Sequence, residues 1–180
     1  MDALNIDQAT IVGHSLGALQ ASAFAALYPE RVKTLLIANV AQGYQRSDED
    51  TKAQVYQKRP DLLKRLGSAG MAESRGPHLI YKQDPQALAL MKEVMGQLTL
   101  DGFTRASYLL AYDEIRNYLT DLNVPCVVIA GDQDGITPAQ NIQALATEMQ
   151  LSRCHLITGA GHLSYVDQPK AFNDIVLSVH

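Results

Sequence analysis

Short apolar runs alternate with helical patterns along much of the chain. Four runs predict strands, at residues 9–14, 32–40, 126–130 and 152–158. Runs of this length that are rich in β-branched residues are typical of parallel strands buried on both faces. Helical patterns follow three of these strands, and such alternation predicts a parallel sheet with right-handed crossovers. The helices are predicted at residues 16–28, 138–149 and 169–179, with Thr137 as the N-cap of the second.

The pattern changes at residues 41–120, between the second and third predicted strands. Charged and polar residues become more frequent there, and β-branched residues become rare. A helical insertion at this place is a natural lid over the strand ends, although it could also serve only to cover apolar surface. We therefore predict a core formed by residues 1–40 and 121–180 and a lid formed by residues 41–120. Glycine and proline divide the lid into predicted helices at residues 48–59, 60–66, 71–75, 85–98 and 100–119.

Composition narrows the class of protein. The 180 residues are 47% hydrophobic and 19% charged, which is typical of one globular domain. The net charge is -4 without a basic patch, so nucleic acid is not an expected partner. No apolar run has transmembrane length and no signal-peptide pattern is present, which predicts a cytoplasmic protein that does not bind membranes. Cys126 and Cys154 are expected to be buried free thiols. No cluster has metal-ligand spacing, so neither a metal nor a cofactor is expected.

The first predicted strand runs into Gly13-His14-Ser15-Leu16-Gly17, a G-x-S-x-G pattern that opens a helix. A serine in such a strand-to-helix turn is held in a strained conformation and exposed at the edge of the sheet. The crowding of the turn predicts that residues 13 and 17 must both be glycine. The helix N-terminus offers free N–H groups, and we expect the Leu16 N–H to bind a developing oxyanion. Ser15 is therefore the candidate nucleophile.

Two further strand ends carry the groups that a nucleophilic serine needs. Asp134 follows the third predicted strand and His162 follows the fourth. The carboxyl ends of parallel strands meet at one edge of a sheet, so these side chains are expected to converge on Ser15. His162 would then exchange protons with Ser15, and Asp134 would orient the imidazole. Asp132 is a rival for the acidic role.

The chain resembles the α/β-hydrolase family in three motifs. These are Gly13-His14-Ser15-Leu16-Gly17, then Gly131-Asp132-Gln133-Asp134 with Thr137-Pro138, then Gly161-His162 with Asp167-Gln168-Pro169. The resemblance implies a parallel sheet of that type and a Ser15, Asp134, His162 triad. It also favours Asp134 over Asp132, since the family's acid lies three residues after the strand-end glycine. Residues 105–119 and the tail are similar to 3-oxoadipate enol-lactonases, which implies cofactor-free hydrolysis of a small ester or lactone through an acyl-enzyme.

The remaining candidate residues lie in the lid, inside a strand or next to the strand ends. Asp113, Glu114 and Arg116 are interpreted as a solvated face of a lid helix, and His155 as a structural residue inside a strand. His14 is expected to line the pocket or to pack beside it. The other predicted pocket residues are Leu16, Gln42, Tyr44, Ile136 and Leu163.

Two parts of the family pattern do not occur in this sequence: the strands that usually precede the elbow, and a His-Gly loop that supplies another oxyanion N–H. We therefore expect the chain to be the C-terminal part of a larger hydrolase. The alternative to an active hydrolase is then a catalytically impaired fragment or an assembly subunit. The strand at residues 9–14 would leave one edge bare, which predicts self-association through that edge.

Overall fold

The computed structural model describes residues 1–151 and 153–179. Its strands are β1 (Ala9–His14), β2 (Val32–Ala38), β3 (Cys126–Gly131) and β4 (Arg153–Ile157). The helices are α1 (Leu16–Leu27), α2 (Glu49–Arg75), α3 (Pro85–Met95), α4 (Leu100–Tyr112), α5 (Arg116–Leu119), α6 (Ala139–Glu148), α7 (Ser164–Asp167) and α8 (Pro169–Leu177). Short 3₁₀ turns lie at Asp2–Leu4, Pro29–Arg31 and Gly76–His78. The predicted start of β4, Ser152, lies outside the described residues.

The four strands form one parallel sheet in the order β1-β2-β3-β4. Helices cover both faces. On one face, α1 and α6 pack on β2 and β3 through fully buried residues such as Leu19 and Ile142. On the other face, Phe172 of α8 packs near Leu36 and Ile129. The predicted α/β class with a helical insertion between the second and third strands is confirmed. The exact division into core and lid stays a prediction.

The outer strands differ from the expectation of a uniformly buried sheet. β4 is an outer strand, and Cys154 and His155 on it are exposed. The prediction of two buried thiols is therefore wrong for Cys154, and Cys126 is only half-buried, although its partial burial raises the pKa of its thiol to about 12. β1 is the other outer strand, and Val12 on it is 47% exposed. Self-association through this edge stays a prediction.

The lid helices are longer and fewer than predicted before Arg75 and more divided after Leu100. In α2 a first helical stretch runs through Pro60 and is separated from a second one at Gly67, whose backbone is not helical, with φ 67° and ψ 173°. The predicted helix at residues 100–119 is instead two, because Glu114 leaves the helix to form an antiparallel bridge with Gly43. Among residues 1–151 and 153–179, no helix is long and apolar enough to cross a membrane.

Candidate active site

Ser15 lies at the turn between β1 and α1 in a backbone conformation that non-glycine residues rarely adopt, with φ 53° and ψ -120°. Gly13 permits this turn. A Cβ at Gly13 would lie 2.4 Å from the Gly17 carbonyl oxygen and 2.7 Å from the Ala18 Cα. The prediction that position 17 must also be glycine is wrong, because a Cβ at Gly17 would meet no described atom within 4 Å. The turn therefore needs glycine before the serine rather than on both sides.

Three side chains from different strand ends form a continuous hydrogen-bonded chain. His162 Nε2 lies 3.0 Å from Ser15 Oγ, and His162 Nδ1 lies 2.9 Å from Asp134 Oδ2. A carboxylate can only accept, so Nδ1 carries the proton and Nε2 is left free to accept the hydroxyl proton of Ser15. The His162 and Asp134 side chains are 5% and 0% exposed, which keeps water away from their contact.

Asp134 is the most heavily hydrogen-bonded carboxylate of this site. Its Oδ1 accepts from the backbone N–H groups of Ile136 and Thr137, at 2.8 and 2.9 Å. Its Oδ2 accepts from Thr137 Oγ1 at 2.6 Å and from Asn39 Nδ2 at 2.9 Å, in addition to His162. Burial alone would raise the pKa of Asp134, but the His162 and Thr137 bonds outweigh it and hold that pKa well below its usual value.

The contacts of Thr137 and Asp132 explain two differences from the sequence prediction. Thr137 is directed at Asp134, and the N-cap of α6 is Pro138 rather than Thr137. Asp132 turns away from the imidazole and accepts a hydrogen bond from the Gly159 N–H at 2.7 Å. The rival acid therefore supports the neighbouring loop and does not meet His162.

Asn39 is a member of this site that sequence reasoning missed. It ends β2 in the left-handed region, with φ 47°, and is fully buried. Its amide nitrogen donates to Asp134 Oδ2 and to the Gly161 carbonyl oxygen, while its oxygen accepts from Ser164 Oγ at 2.6 Å. The predicted strand at residues 32–40 stops at Ala38 for this reason. One polar residue within an apolar run was the signal that could have identified it.

The loop that carries His162 is held from two sides. Asp167 is buried and accepts from the backbone N–H groups of Gly161 at 2.8 Å and Tyr81 at 2.9 Å. His14 Nε2 donates to the His162 carbonyl oxygen at 2.7 Å. Burial lowers the pKa of His14 to about 4, although the bond to His162 opposes this shift. His14 is thus neutral near pH 7 and does not add charge beside the imidazole.

Two adjoining cavities of about 440 and 530 Å³ open at Ser15. Of the predicted pocket residues, Gln42, Tyr44 and Ile136 line them. Among the described residues, the linings of these two cavities do not include His14, Leu16 or Leu163, and of the two roles expected for His14 the structure shows packing. His14 packs against Tyr165, with ring centroids 5.2 Å apart, and the backbone N–H of Leu163 binds Leu79. The lid supplies cavity residues that the sequence did not identify, namely Lys58, Arg59, Leu62, Met71, Arg75, Leu79, Met95 and Phe103.

The interpretation of Asp113, Glu114 and Arg116 as a solvated helix face is wrong. Glu114 is 3% exposed and bonds to Arg116 Nη1 at 2.7 Å. Arg116 Nε also reaches Glu148 at 2.9 Å, and Asp113 accepts from the Tyr118 hydroxyl at 2.8 Å. The helix breaks here, so these charged side chains turn inward and connect the lid to α5 and α6.

A backbone donor lies next to Ser15. The Leu16 N–H opens α1, where a backbone donor has no acceptor within the helix. It is therefore available beside Ser15 for an oxyanion. In the described ranges, no group of three or more His, Cys, Asp or Glu could hold a metal ion.

Comparison with known proteins places this arrangement in a family. The model of the family described as "alpha/beta hydrolase fold" matches residues 1–169. The chain belongs to the α/β hydrolase fold family. The 3-oxoadipate enol-lactonase 2 of Acinetobacter baylyi is 30% identical over 99% of this chain and 66% of that protein. A putative carbamate hydrolase of Stutzerimonas stutzeri is 28% identical over 98% of this chain and 68% of that protein.

Solved structures agree on the fold. A thermophilic esterase from Thermogutta terrifontis superposes with a TM-score of 0.84 at 23% identity, over 99% of this chain and 68% of that one. The enol-lactonase from Burkholderia xenovorans gives a TM-score of 0.77 at 21% identity, with the same coverage. The chain thus spans about two thirds of the length of the relatives it matches.

Proposed function

We propose that this α/β hydrolase cleaves a small carboxylic ester or lactone through an acyl-enzyme on Ser15. The observation that carries the proposal is the continuous chain of hydrogen bonds from Ser15 Oγ through His162 to Asp134. Nucleophile, base and orienting acid within hydrogen-bond reach are the mark of an activated serine. The similarity to an enol-lactonase supports ester or lactone bonds as the target. The cavity volumes suit a small molecule.

The first half-reaction forms the acyl-enzyme. Ser15 Oγ attacks the carbonyl carbon while His162 Nε2 takes the hydroxyl proton. The carbonyl oxygen becomes an oxyanion that the Leu16 N–H stabilises. Asp134 stabilises the charged imidazole, which then gives its proton to the leaving alkoxide as the ester bond breaks. In a lactone, the alcohol so formed stays attached to the acyl group.

The second half-reaction regenerates the serine. His162 removes a proton from a water molecule, whose oxygen attacks the acyl carbon. The tetrahedral intermediate collapses, the proton passes from His162 to Ser15 Oγ, and the carboxylic acid leaves. No cofactor enters either half-reaction.

The test is hydrolysis of 4-nitrophenyl acetate by the chain and by its Ser15→Ala variant. Steady release of nitrophenolate that disappears in Ser15→Ala supports the proposal, and Ser178→Ala, which alters an exposed serine at the end of α8, serves as the matched control. Mass spectrometry of the quenched reaction should find one acetyl group on Ser15. Turnover that survives in Ser15→Ala would refute the nucleophile. A folded chain without turnover would favour the impaired alternative.

A further inference from the structure

The cavities around Ser15 are lined by an excess of positive charge. Lys58, Arg59 and Arg75, all on α2, line the smaller cavity, and the two arginines also line the larger one. Among the described residues, neither lining includes an aspartate or a glutamate. The chain as a whole carries a net charge of -4, so this local excess does not follow from its composition.

Arg59 is held in place by uncharged contacts. Its Nε donates to Ser107 Oγ at 3.3 Å, and its guanidinium carbon lies 4.8 Å from the centroid of the Phe103 ring. Ser107 is fully buried and fixed by its own bond to the Phe103 carbonyl oxygen. These contacts orient the guanidinium and leave Nη1 and Nη2 without an acceptor in residues 1–151 and 153–179. The N–H groups of Nη1 and Nη2 lie along one edge of the planar guanidinium, where two parallel donors match the two oxygens of a carboxylate.

The charge of Arg59 is poorly compensated. Burial lowers its pKa, and the nearby positive charge of Arg75 lowers it further. Arg116, the third arginine of the larger cavity, differs because Glu114 and Glu148 both bind it. In the described chain, Arg59 and Arg75 have no carboxylate within ion-pair distance. An anion that entered the cavity would supply the missing charge.

We propose that Arg59, assisted by Arg75, binds a carboxylate of the substrate. The preferred ester or lactone then carries an acidic group in addition to the bond that is cleaved. The inference rests on the proposed function, since it assigns a substrate class to the same cavity. The acidic group belongs either to the acyl part, which stays on Ser15 in the intermediate, or to the leaving alcohol.

Paired substrates test the proposal and separate these two positions. Mono(4-nitrophenyl) glutarate and 4-nitrophenyl pentanoate have acyl chains of equal carbon number, and only the first has a free carboxylate. 4-Acetoxybenzoate and its methyl ester place the same contrast on the leaving group. We expect kcat/KM to be about tenfold to a hundredfold higher for the acid of one pair, the range expected for a hydrogen-bonded charge pair. The preference should shrink at high salt.

Variants of α2 identify the side chains responsible. Arg59→Gln and, separately, Arg75→Gln should lower the ratio of acidic to neutral kcat/KM, and Arg59→Lys should restore it only in part because the forked donor pair is lost. Arg65→Gln is the matched control. Arg65 is exposed on the same helix and lines neither cavity, so the variant removes the same charge and should keep the ratio.

A binding measurement distinguishes failure of this inference from failure of the proposed function. Titration calorimetry of the Ser15→Ala variant with glutarate should detect binding that Arg59→Gln abolishes and Arg65→Gln retains. Ser15-dependent hydrolysis with no acidic preference and no glutarate binding would overturn the inference alone. Glutarate binding without any hydrolysis would overturn the proposed function but leave the carboxylate site. Equal binding in the Arg59→Gln and Arg65→Gln variants would overturn the role of Arg59.

Discussion

Replacing Asp134 by asparagine changes one atom at the centre of the site and has a definite expected outcome. The amide nitrogen cannot take the place of Oδ1, because that atom accepts from the fixed backbone N–H groups of Ile136 and Thr137. It must occupy the position of Oδ2, where it faces His162 Nδ1. The imidazole then carries its proton on Nε2, which donates to Ser15 and can no longer accept the serine proton. We expect kcat to fall about a thousandfold to ten-thousandfold.

The same substitution lowers stability, because it leaves one donor facing another. Asn39 Nδ2 donates to Oδ2 at 2.9 Å, and its amide can reverse only by giving up its bond to the Gly161 carbonyl oxygen. The Asp134 side chain is 0% exposed, so water cannot repair the mismatch. One unmade bond to a buried group, together with weaker neutral bonds in place of charge-assisted ones, costs about 2–4 kcal/mol of the free energy of unfolding.

Steady-state hydrolysis of 4-nitrophenyl acetate and urea unfolding followed by circular dichroism measure the two effects. Asp132→Asn is the matched control. Asp132 accepts only the Gly159 N–H in the network described, and an asparagine oxygen can replace that acceptor. We expect the control to keep kcat within about threefold and to lose less than about 1 kcal/mol. Equal loss of kcat in both variants, or more than a tenth of kcat retained in Asp134→Asn, would refute the reasoning.

Three further predictions concern the same network and the turn before it. Asn39→Gly keeps the backbone at φ 47° but removes the amide that donates to Asp134, so kcat for 4-nitrophenyl acetate should fall about tenfold with KM unchanged. An unchanged kcat would leave Asn39 only a structural role. Because the pKa of Asp134 is lower in the folded state than in the unfolded state, its charged form contributes stability that is fully present above about pH 3.9. This stability is lost as the pH falls towards the folded pKa. Urea unfolding curves of the wild type and Asp134→Asn should therefore converge below about pH 4. Gly13→Ala should lower the free energy of unfolding by about 3 kcal/mol or more, or prevent folding, because its Cβ would meet a backbone oxygen at 2.4 Å. In the same thermal melts, Gly17→Ala should lower it by less than about 1 kcal/mol, because a Cβ there meets no described atom within 4 Å.

The parts of the structure that followed from sequence share a local cause. Each strand of the core is an apolar run bounded by turn residues, and the strands are parallel, so their carboxyl ends share one edge of the sheet. Because Ser15, Asp134 and His162 each follow the carboxyl end of a strand, the parallel sheet brings them to one place. The choice between Asp134 and Asp132 did not follow from the sequence pattern itself but from the resemblance to the α/β-hydrolase family, whose acid lies three residues after the strand-end glycine. The contacts of the two residues differ as that resemblance implies.

The parts that sequence reasoning missed depend on contacts between distant segments. Nothing near Glu114 predicts that it bridges Gly43, so the inward turn of Arg116 could not be foreseen from helical periodicity. The position of Asn39 had the same difficulty, since its three partners come from two other loops. A polar residue inside an apolar run is a local signal of such a network, but it does not name the partners.

The residues proposed to react and the residues that line the cavities come from different parts of the fold. Ser15, Asp134 and His162 follow strand ends, whose relative positions are fixed by the hydrogen-bonded register across β1, β2, β3 and β4. The positively charged side chains that line the cavities, Lys58, Arg59 and Arg75, come from α2, which meets the site only through tertiary packing of the insertion. Register tolerates little change, whereas a packed helix can exchange side chains without moving the reacting atoms. Substitutions on the cavity face of α2 should therefore alter which esters are cleaved, while substitutions at the strand ends should alter whether any ester is cleaved.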